Sequence, residues 1–387
     1  MSAQHDAIVV GGGLAGIAAA VAVAQAGLRT LHIAPKGPPD RRTSALMQPS
    51  VTYLQSAGLI GDPSEAGHPL TQIRIIDATS RLIRAPETLF DSKDAGLPAF
   101  GWNLANVRLL ASFEAAKAKR GNLQTIEATL ASLERDGTLW RLTLGDGTVL
   151  TTPFVVGSDG KKSLVRSAAG FRSREHGFTQ AALVADLELG RPLGGASVEF
   201  HYPQGPFTLV PAGGKRANLV WIDDREVLKA AQASGPDSLR ATFLEKSQRL
   251  FGDVKLLTPA HMFLLSTLTV DDAGHDGVVL AGEAAHAFPP IGAQGLNLGL
   301  RDVADLSAAL AEADRSTSDW AVAVSEDYSA RRRTDLNRTG GMVDTLFRSL
   351  LTDLLPAQAL RAGGLWALKL SPPLRKQAFA LGMGNRS

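Results

Sequence analysis

The chain has 387 residues, 44% hydrophobic and 20% charged, which predicts two or three packed domains and excludes a mini-protein, a collagen, a coiled coil and a disordered chain. Lys plus Arg total 40 against 38 for Asp plus Glu, a net charge of +2, so nothing points to nucleic acid as a partner. Cysteine is absent, which removes disulfides, thiolate metal sites and a cysteine nucleophile and sits easily with a reducing cytoplasm.

The longest apolar stretch, residues 7–26, reads as neither signal peptide nor membrane span. No Lys or Arg precedes it, and Gly11, Gly12, Gly13 and Gly16 bunch where a chain turns. It reads as a strand (7–10), a glycine turn and an alanine-rich helix (14–26), with a second strand at 30–33, which together make a βαβ unit of a parallel sheet. Residues 123–150 alternate around Asp136-Gly137 and Asp146-Gly147 and predict a hairpin or meander. A buried strand at 154–156 ends in Gly157-Ser158-Asp159-Gly160. From about Phe178 to Thr269, strands such as 182–187, 197–202 and 218–222 predict an inserted antiparallel sheet, hence a second domain. A strand at 277–280, a loop rich in Pro and Gly, and a helix from about Leu296 to Ala311 return to the first domain, and the pattern after Tyr328 is helical.

The expected division is a dinucleotide-binding domain over 1–75, 100–177 and 271–328, a substrate domain over 76–99 and 178–270, and a C-terminal helical region over 329–387. That last region carries ten Lys or Arg against three Asp or Glu, with apolar runs at 346–355 and 365–370. It reads as a helical cap on the main body, or as a basic amphipathic surface for anionic lipid or a partner helix.

Three motifs carry chemistry. In Gly11-x-Gly13-x-x-Gly16, between strand and helix, Gly11 permits the tight turn, Gly13 lets the backbone approach a pyrophosphate, and Gly16 permits close packing of helix on strand. The acid expected at the end of the second strand is replaced by Ala34, and Lys36 close by is either a solvated lysine or a contact to a phosphorylated ribose. The second motif is Gly157-Ser158-Asp159-Gly160-Lys161-Lys162-Ser163-Leu164-Val165-Arg166, with Arg166 read as an ion-pair partner of its own helix. The third is Gly282-Glu283-Ala284-Ala285-His286, running on through Pro289-Pro290-Ile291-Gly292-Ala293-Gln294-Gly295-Leu296-Asn297 into a helix whose free N–H groups favour negative charge. His286 reads as a buried structural residue. The histidines show no metal-ligand spacing, so no metal is expected.

In this order the three motifs resemble those of the FAD-dependent aromatic hydroxylases with the para-hydroxybenzoate hydroxylase fold, over nearly the whole chain. Within that group, Asp40-Arg41-Arg42-Thr43-Ser44-Ala45-Leu46, Gly205-Pro206 with Pro211, Gly295 to Val303, and Tyr328 with Arg332 look most like the ubiquinone-biosynthesis hydroxylases. The resemblance implies an α/β fold, a Rossmann-like FAD-binding domain with an inserted antiparallel substrate sheet and C-terminal helices. It implies that Gly11, Gly13, Leu14, Ala15 and Gly16 hold the ADP part of FAD, that Arg42, Asn106, Asp159, Gly282 and Glu283 contact the cofactor, and that Pro290, Gly295, Leu296 and Asn297 line the flavin. Pro290 and Gly295 are the positions assigned to catalysis. Glu283 departs from the family's aspartate by one methylene. The implied reaction is hydroxylation of an aromatic ring, a polyprenyl phenol, through a flavin C4a-hydroperoxide formed with NADH or NADPH and O2.

Substrate contacts are expected on the inserted sheet at Phe200, Tyr202, Phe207, Leu209 and Trp221, although alternation alone leaves open which face points inward. The implied setting is cytoplasmic, with contact to the inner face of the membrane or to a quinone-synthesis complex. Two rivals stay open: a hydroxylase of a soluble aromatic or polyketide, and a flavin-poor scaffold, for which Ala34 and Glu283 are the clues.

Overall fold

The computed structural model describes residues 5–37, 40–79 and 85–351, with side chains as far as 341, and isolated positions between 363 and 374. Its first layer is a six-stranded sheet. Ala7–Val10 lies at the middle, parallel to both Phe154–Gly157 and Thr30–Ile33; Leu123–Ile126 and Val278–Leu280 extend it on either side, and the short Gly274–His275 closes one edge antiparallel. All four residues of Ala7–Val10 and of Phe154–Gly157 are buried, as expected of parallel strands covered on both faces, and this is why these segments are continuously apolar. The helices Leu14–Gln25, Asn106–Ala118 and Gln294–Glu312 share one hydrophobic core with them, together with Leu133, Trp140 and Leu142 of a meander formed by Leu130–Asp136, Leu139–Leu144 and Val149–Thr152. The first part of the stretch expected as a meander, Leu123–Ile126, instead joins the parallel sheet.

The inserted unit is a nine-stranded sheet around the long strand Ser173–Leu189, flanked by Arg216–Asp224 and His261–Val270. It is antiparallel except where Ala196–Tyr202 runs parallel to Gln72–Asp77, so the chain enters this sheet at Gln72. Two helices, Arg225–Ala233 and Pro236–Lys246, lie within a stretch that strand alternation had suggested was all sheet. Between the two units, Thr43–Met47, Gly101–Ala105 and Gly67–Leu70 form a small antiparallel sheet. Its Thr43 and Asn103 side chains bond Asn218 of the large sheet at 2.9 and 2.7 Å and set the spacing of the cleft.

The helix Trp320–Leu351 packs on Gln294–Glu312 and on the edge strand Gly274–His275. No described helix is long and apolar enough to cross a membrane. Most of the basic, apolar C-terminal stretch lies outside the described residues.

Candidate active site

The three motifs meet at one point because their glycines remove the atoms that would keep them apart. A Cβ on Gly11 would stand 2.0 Å from the Ser158 carbonyl oxygen, and one on Gly16 would stand 2.0 Å from the carbonyl oxygen of Gly11. A Cβ on Gly282 would come within 3.1 Å of Ala15 Cβ, and one on Gly299 within 3.3 Å of Gly282 Cα. Backbone bonds complete the junction: Ser158 N donates to Val10 O at 2.7 Å, and Ala281 N to Gly157 O at 2.9 Å.

The cradle fits a dinucleotide. A Cβ on Gly13 would meet nothing within 4 Å, and Gly13 caps the helix Leu14–Gln25 with no side-chain bond to its free amides. Open space above uncapped N–H groups at a helix N-terminus is the arrangement a pyrophosphate requires. The same holds at Gln294–Glu312, whose cap Ala293 makes no side-chain bond and where a Cβ on Gly295 would also meet open space. Pro290 and Gly295 are exposed and Leu296 is half-buried. FAD, with a phosphate end and a ring that takes up negative charge, matches these two helix ends.

Asp159 turns its carboxylate back to its own helix: it accepts from Leu164 N at 2.8 Å, from Val165 N at 3.1 Å and from the Ser163 hydroxyl. Ser163 in turn caps Arg166 N at 2.9 Å. The Arg166 guanidinium donates to the carbonyls of Ala284 (2.9 Å) and Lys161 (2.7 Å), so it clamps the second motif to the third. That corrects the ion-pair reading of Arg166, since its described partners are carbonyls.

Arg42 and Asn106, both expected near the cofactor, share a third residue that motif reading missed. Asp40 accepts from Arg42 Nε (2.8 Å), Arg42 Nη2 (2.9 Å) and Asn106 Nδ2 (2.8 Å). Burial opposes the charge on Asp40, but the bonds from Arg42 and Asn106 hold its carboxyl below the usual range. Glu283 is exposed and close enough for its negative charge to help Asp40 keep Arg42 charged. Asn297 is 5% exposed, and its amide is engaged with Met47 N (2.8 Å), Ala45 O (2.8 Å) and Ala293 O (2.5 Å). It acts on the flavin loop by tying it to the small sheet.

Beneath the third motif lies a buried charge cluster. Asp302 accepts from Gly282 N at 2.8 Å, approaches His286 Nε2 at 2.6 Å and pairs with Arg332 Nε at 2.7 Å. Burial opposes its ionisation, but His286, Arg332 and the Gly282 amide hold the carboxyl below its ordinary value. Arg332, 0% exposed, also pairs with Asp305 at 2.8 Å and Asp335 at 2.6 Å, and these carboxylates raise its guanidinium above the ordinary range against the effect of burial. His286 is thus in contact with a structural ion cluster. Asp302 and Asp305 could have been found as acids on the apolar face of a helix. His32 carried the same kind of signal: it is buried in a strand, and its Nε2 lies 2.8 Å from Gly11 O.

The substrate contacts expected on the sheet need correction. Phe200, Phe207, Leu209 and Trp221 are at most 1% exposed and form one cluster with Leu228, Leu239 and Phe243 of the two unforeseen helices. Tyr202 belongs to the same face, its hydroxyl donating to Lys246 O at 2.9 Å. The first four side chains are core, and Tyr202 packs half-buried against them. Strand alternation places the opposite set, Ala182, Val220 and Ile222, on the face toward the cleft, where they pack with Leu265 and with Ile291 of the third motif.

Residues 4–338 match the model of the family described as FAD binding domain. Ubiquinone hydroxylase UbiL of Rhodospirillum rubrum is 30% identical over 98% of this chain and 90% of its own length. The 3-demethoxyubiquinol 3-hydroxylase of Escherichia coli is 28% identical, over 97% of both chains. Among solved structures, p-nitrophenol 4-monooxygenase PnpA of Pseudomonas putida superposes with a TM-score of 0.80 at 18% identity over the full length of both, and PqsL of Pseudomonas aeruginosa in complex with 2-aminobenzoylacetate with 0.78 at 21% over 94% of this chain and 99% of that one.

Proposed function

This chain belongs to the FAD binding domain family, and we propose that it hydroxylates the aromatic ring of a polyprenyl phenol in ubiquinone biosynthesis. It is an FAD-dependent monooxygenase that uses NAD(P)H as electron donor. The observation that carries the reading is the meeting of the three motifs at Gly11, Ser158 and Gly282, with two uncapped helix N-termini facing open space beside an apolar sheet face. The full-length likeness to two ubiquinone hydroxylases supports the substrate class.

When bound, FAD supplies the electron transfer and oxygen activation that no side chain can. The protein binds and orients. The amides of Leu14 and Ala15 meet the pyrophosphate charge, with Gly11, Gly13 and Gly16 allowing the approach. Arg42, held by Asp40, and Asn106 flank the cleft; Asp159, Arg166 and Gly282 keep the motifs in register; and the exposed Glu283 would be available to a ribityl hydroxyl. Gly295 and Leu296 present helix amides where negative charge develops, and Pro290 closes the loop over them. Ala182, Ile222 and Ile291, packed together, exclude water, and the half-buried Val220 beside them would face the ring.

The protein works beside a bilayer or a quinone-synthesis complex, with the basic C-terminal stretch as its contact. The test is a purified, flavin-replete preparation given NAD(P)H, O2 and prenylated phenols: the product should gain one oxygen atom, traced to O2 by isotope. A colourless protein that takes up no FAD would sink the reading.

A further inference from the structure

Exposed strand edges of soluble proteins are normally guarded by charges, above all lysine. The strand His261–Val270 has no charged residue apart from the His at its start, and its outer edge pairs only at Leu268 and Thr269, with Ala287 and His286. Over residues 261–264 that edge has no strand partner among the described residues, yet Phe263 is 45% and Leu264 63% exposed, with Leu257 (40%) at the preceding turn. An apolar cluster on an open edge is a binding feature or a liability.

Register identifies what it binds. Phe263 stands opposite Ala182, and Ala182 opposite Ile222, so the three form one row across the cleft face at about 4.8 Å per strand. Ile291 of the flavin loop packs over the inner part of the row, against Ala182, Ile222 and Leu265. The next row is Val220, Val184 and His261. The apolar floor therefore runs without interruption from the flavin loop to the open edge, and Phe263 is its last residue. The closed side lies at Asn218, bonded to Thr43 and Asn103.

We propose that Phe263 forms the exit lip for the isoprenoid tail of the substrate and so sets the enzyme's preference for tailed over tail-less phenols; Leu264, opposite Ala181, belongs to the other face of the sheet. The inference rests on the reading of the substrate given above. A ring seated under Ile291 has an uncharged way out for a long hydrocarbon chain across the Phe263 edge, and burying that chain against a phenyl side chain yields the binding energy that distinguishes it from the bare ring.

The test uses the FAD-loaded enzyme and one phenol in two forms, without a tail and with a farnesyl tail in micelles. The ratio of kcat/KM between the two forms is compared in the wild type, Phe263→Ser, Phe263→Leu and, as the opposite-face control, Leu264→Ser, and thermal melting confirms folding. Phe263→Ser should lower the ratio about tenfold, the equivalent of ~1.4 kcal/mol of lost contact, Phe263→Leu should restore most of it, and Leu264→Ser should leave it unchanged. If the wild type prefers the tailed form and Phe263→Ser keeps that preference, or Leu264→Ser lowers it as much, the lip is wrong and the substrate reading stands. If the wild type shows no preference, both fall. Conversion of a dimer into a monomer by Phe263→Ser without moving the ratio assigns the edge to a second copy and also overturns the proposal.

Discussion

Asp302 and His286 stand 2.6 Å apart, both at most 2% exposed, and the same carboxylate oxygen takes the Gly282 amide at 2.8 Å. One side chain of the helix Gln294–Glu312 thereby fixes the third motif from below, while Arg332 anchors it to the helix Trp320–Leu351. Asp302→Asn keeps the shape but sets amide donors among donors and weakens the attraction to Arg332. It should cost about 2–4 kcal/mol in urea unfolding. A loss under about 0.5 kcal/mol, the range of an ordinary surface change, would show the cluster to be dispensable.

Gly13 and Gly16 should separate binding from folding. Gly13 has ordinary extended geometry (φ −79°, ψ 173°) and open space where its Cβ would be, so Gly13→Ala should leave apoprotein stability within about 1 kcal/mol and weaken FAD about tenfold or more. Gly16→Ala forces a methyl group onto the Gly11 carbonyl and should unsettle the apoprotein as well. Flavin-fluorescence titration beside calorimetry of the apoprotein distinguishes the two, and an FAD affinity unchanged by Gly13→Ala would contradict the cradle.

His32 predicts an acid-side loss of stability. Burial lowers its pKa below the ordinary 6.5, against the opposing bond to Gly11 O, and among the described residues its Nδ1 has no partner. In the window below pH 6.5 the unfolded chain binds this proton and the folded chain does not. The contribution is thus complete above that pH and fades as pH falls, by at most about 1.4 kcal/mol per unit for one proton. His32→Gln should remove this component, visible as a shallower decline of the urea midpoint between neutral and mildly acidic pH. Parallel curves would assign the decline to other groups.

The two faces of the large sheet should respond in opposite ways. Trp221→Ala empties a packed core position and should cost about 3–5 kcal/mol. Val220→Phe, one residue earlier on the half-buried cleft face, should change stability by about 1 kcal/mol while raising KM for the aromatic substrate several-fold. Raised KM in the first and unfolding in the second would mean that the faces have been exchanged.

The phosphate cradle was legible because it is local: Gly11, Gly13 and Gly16 prescribe a backbone path within six residues, and Gly16 needs no side-chain information to predict its collision with Gly11. The place of Asp159 at a strand end was legible for the same reason, but its bonds to the Leu164 and Val165 amides were not foreseen. Asp40 was not, because its role depends on Asn106 arriving from a helix 66 residues away.

The order of strand, glycine turn and helix, the insertion of a sheet domain and the place of all three motifs follow from sequence alone, since each is written in residues close along the chain. Which face of the inserted sheet is covered by helices did not. A period of two assigns residues to two faces and stays silent on which is covered, and only the packing of Leu228, Leu239 and Phe243 onto Trp221 and Phe207 broke that symmetry. The burial of Asp302 with Arg332, distant in sequence and adjacent in space, was likewise decided by tertiary structure, because a charge reveals its partner only when the chain has closed around both.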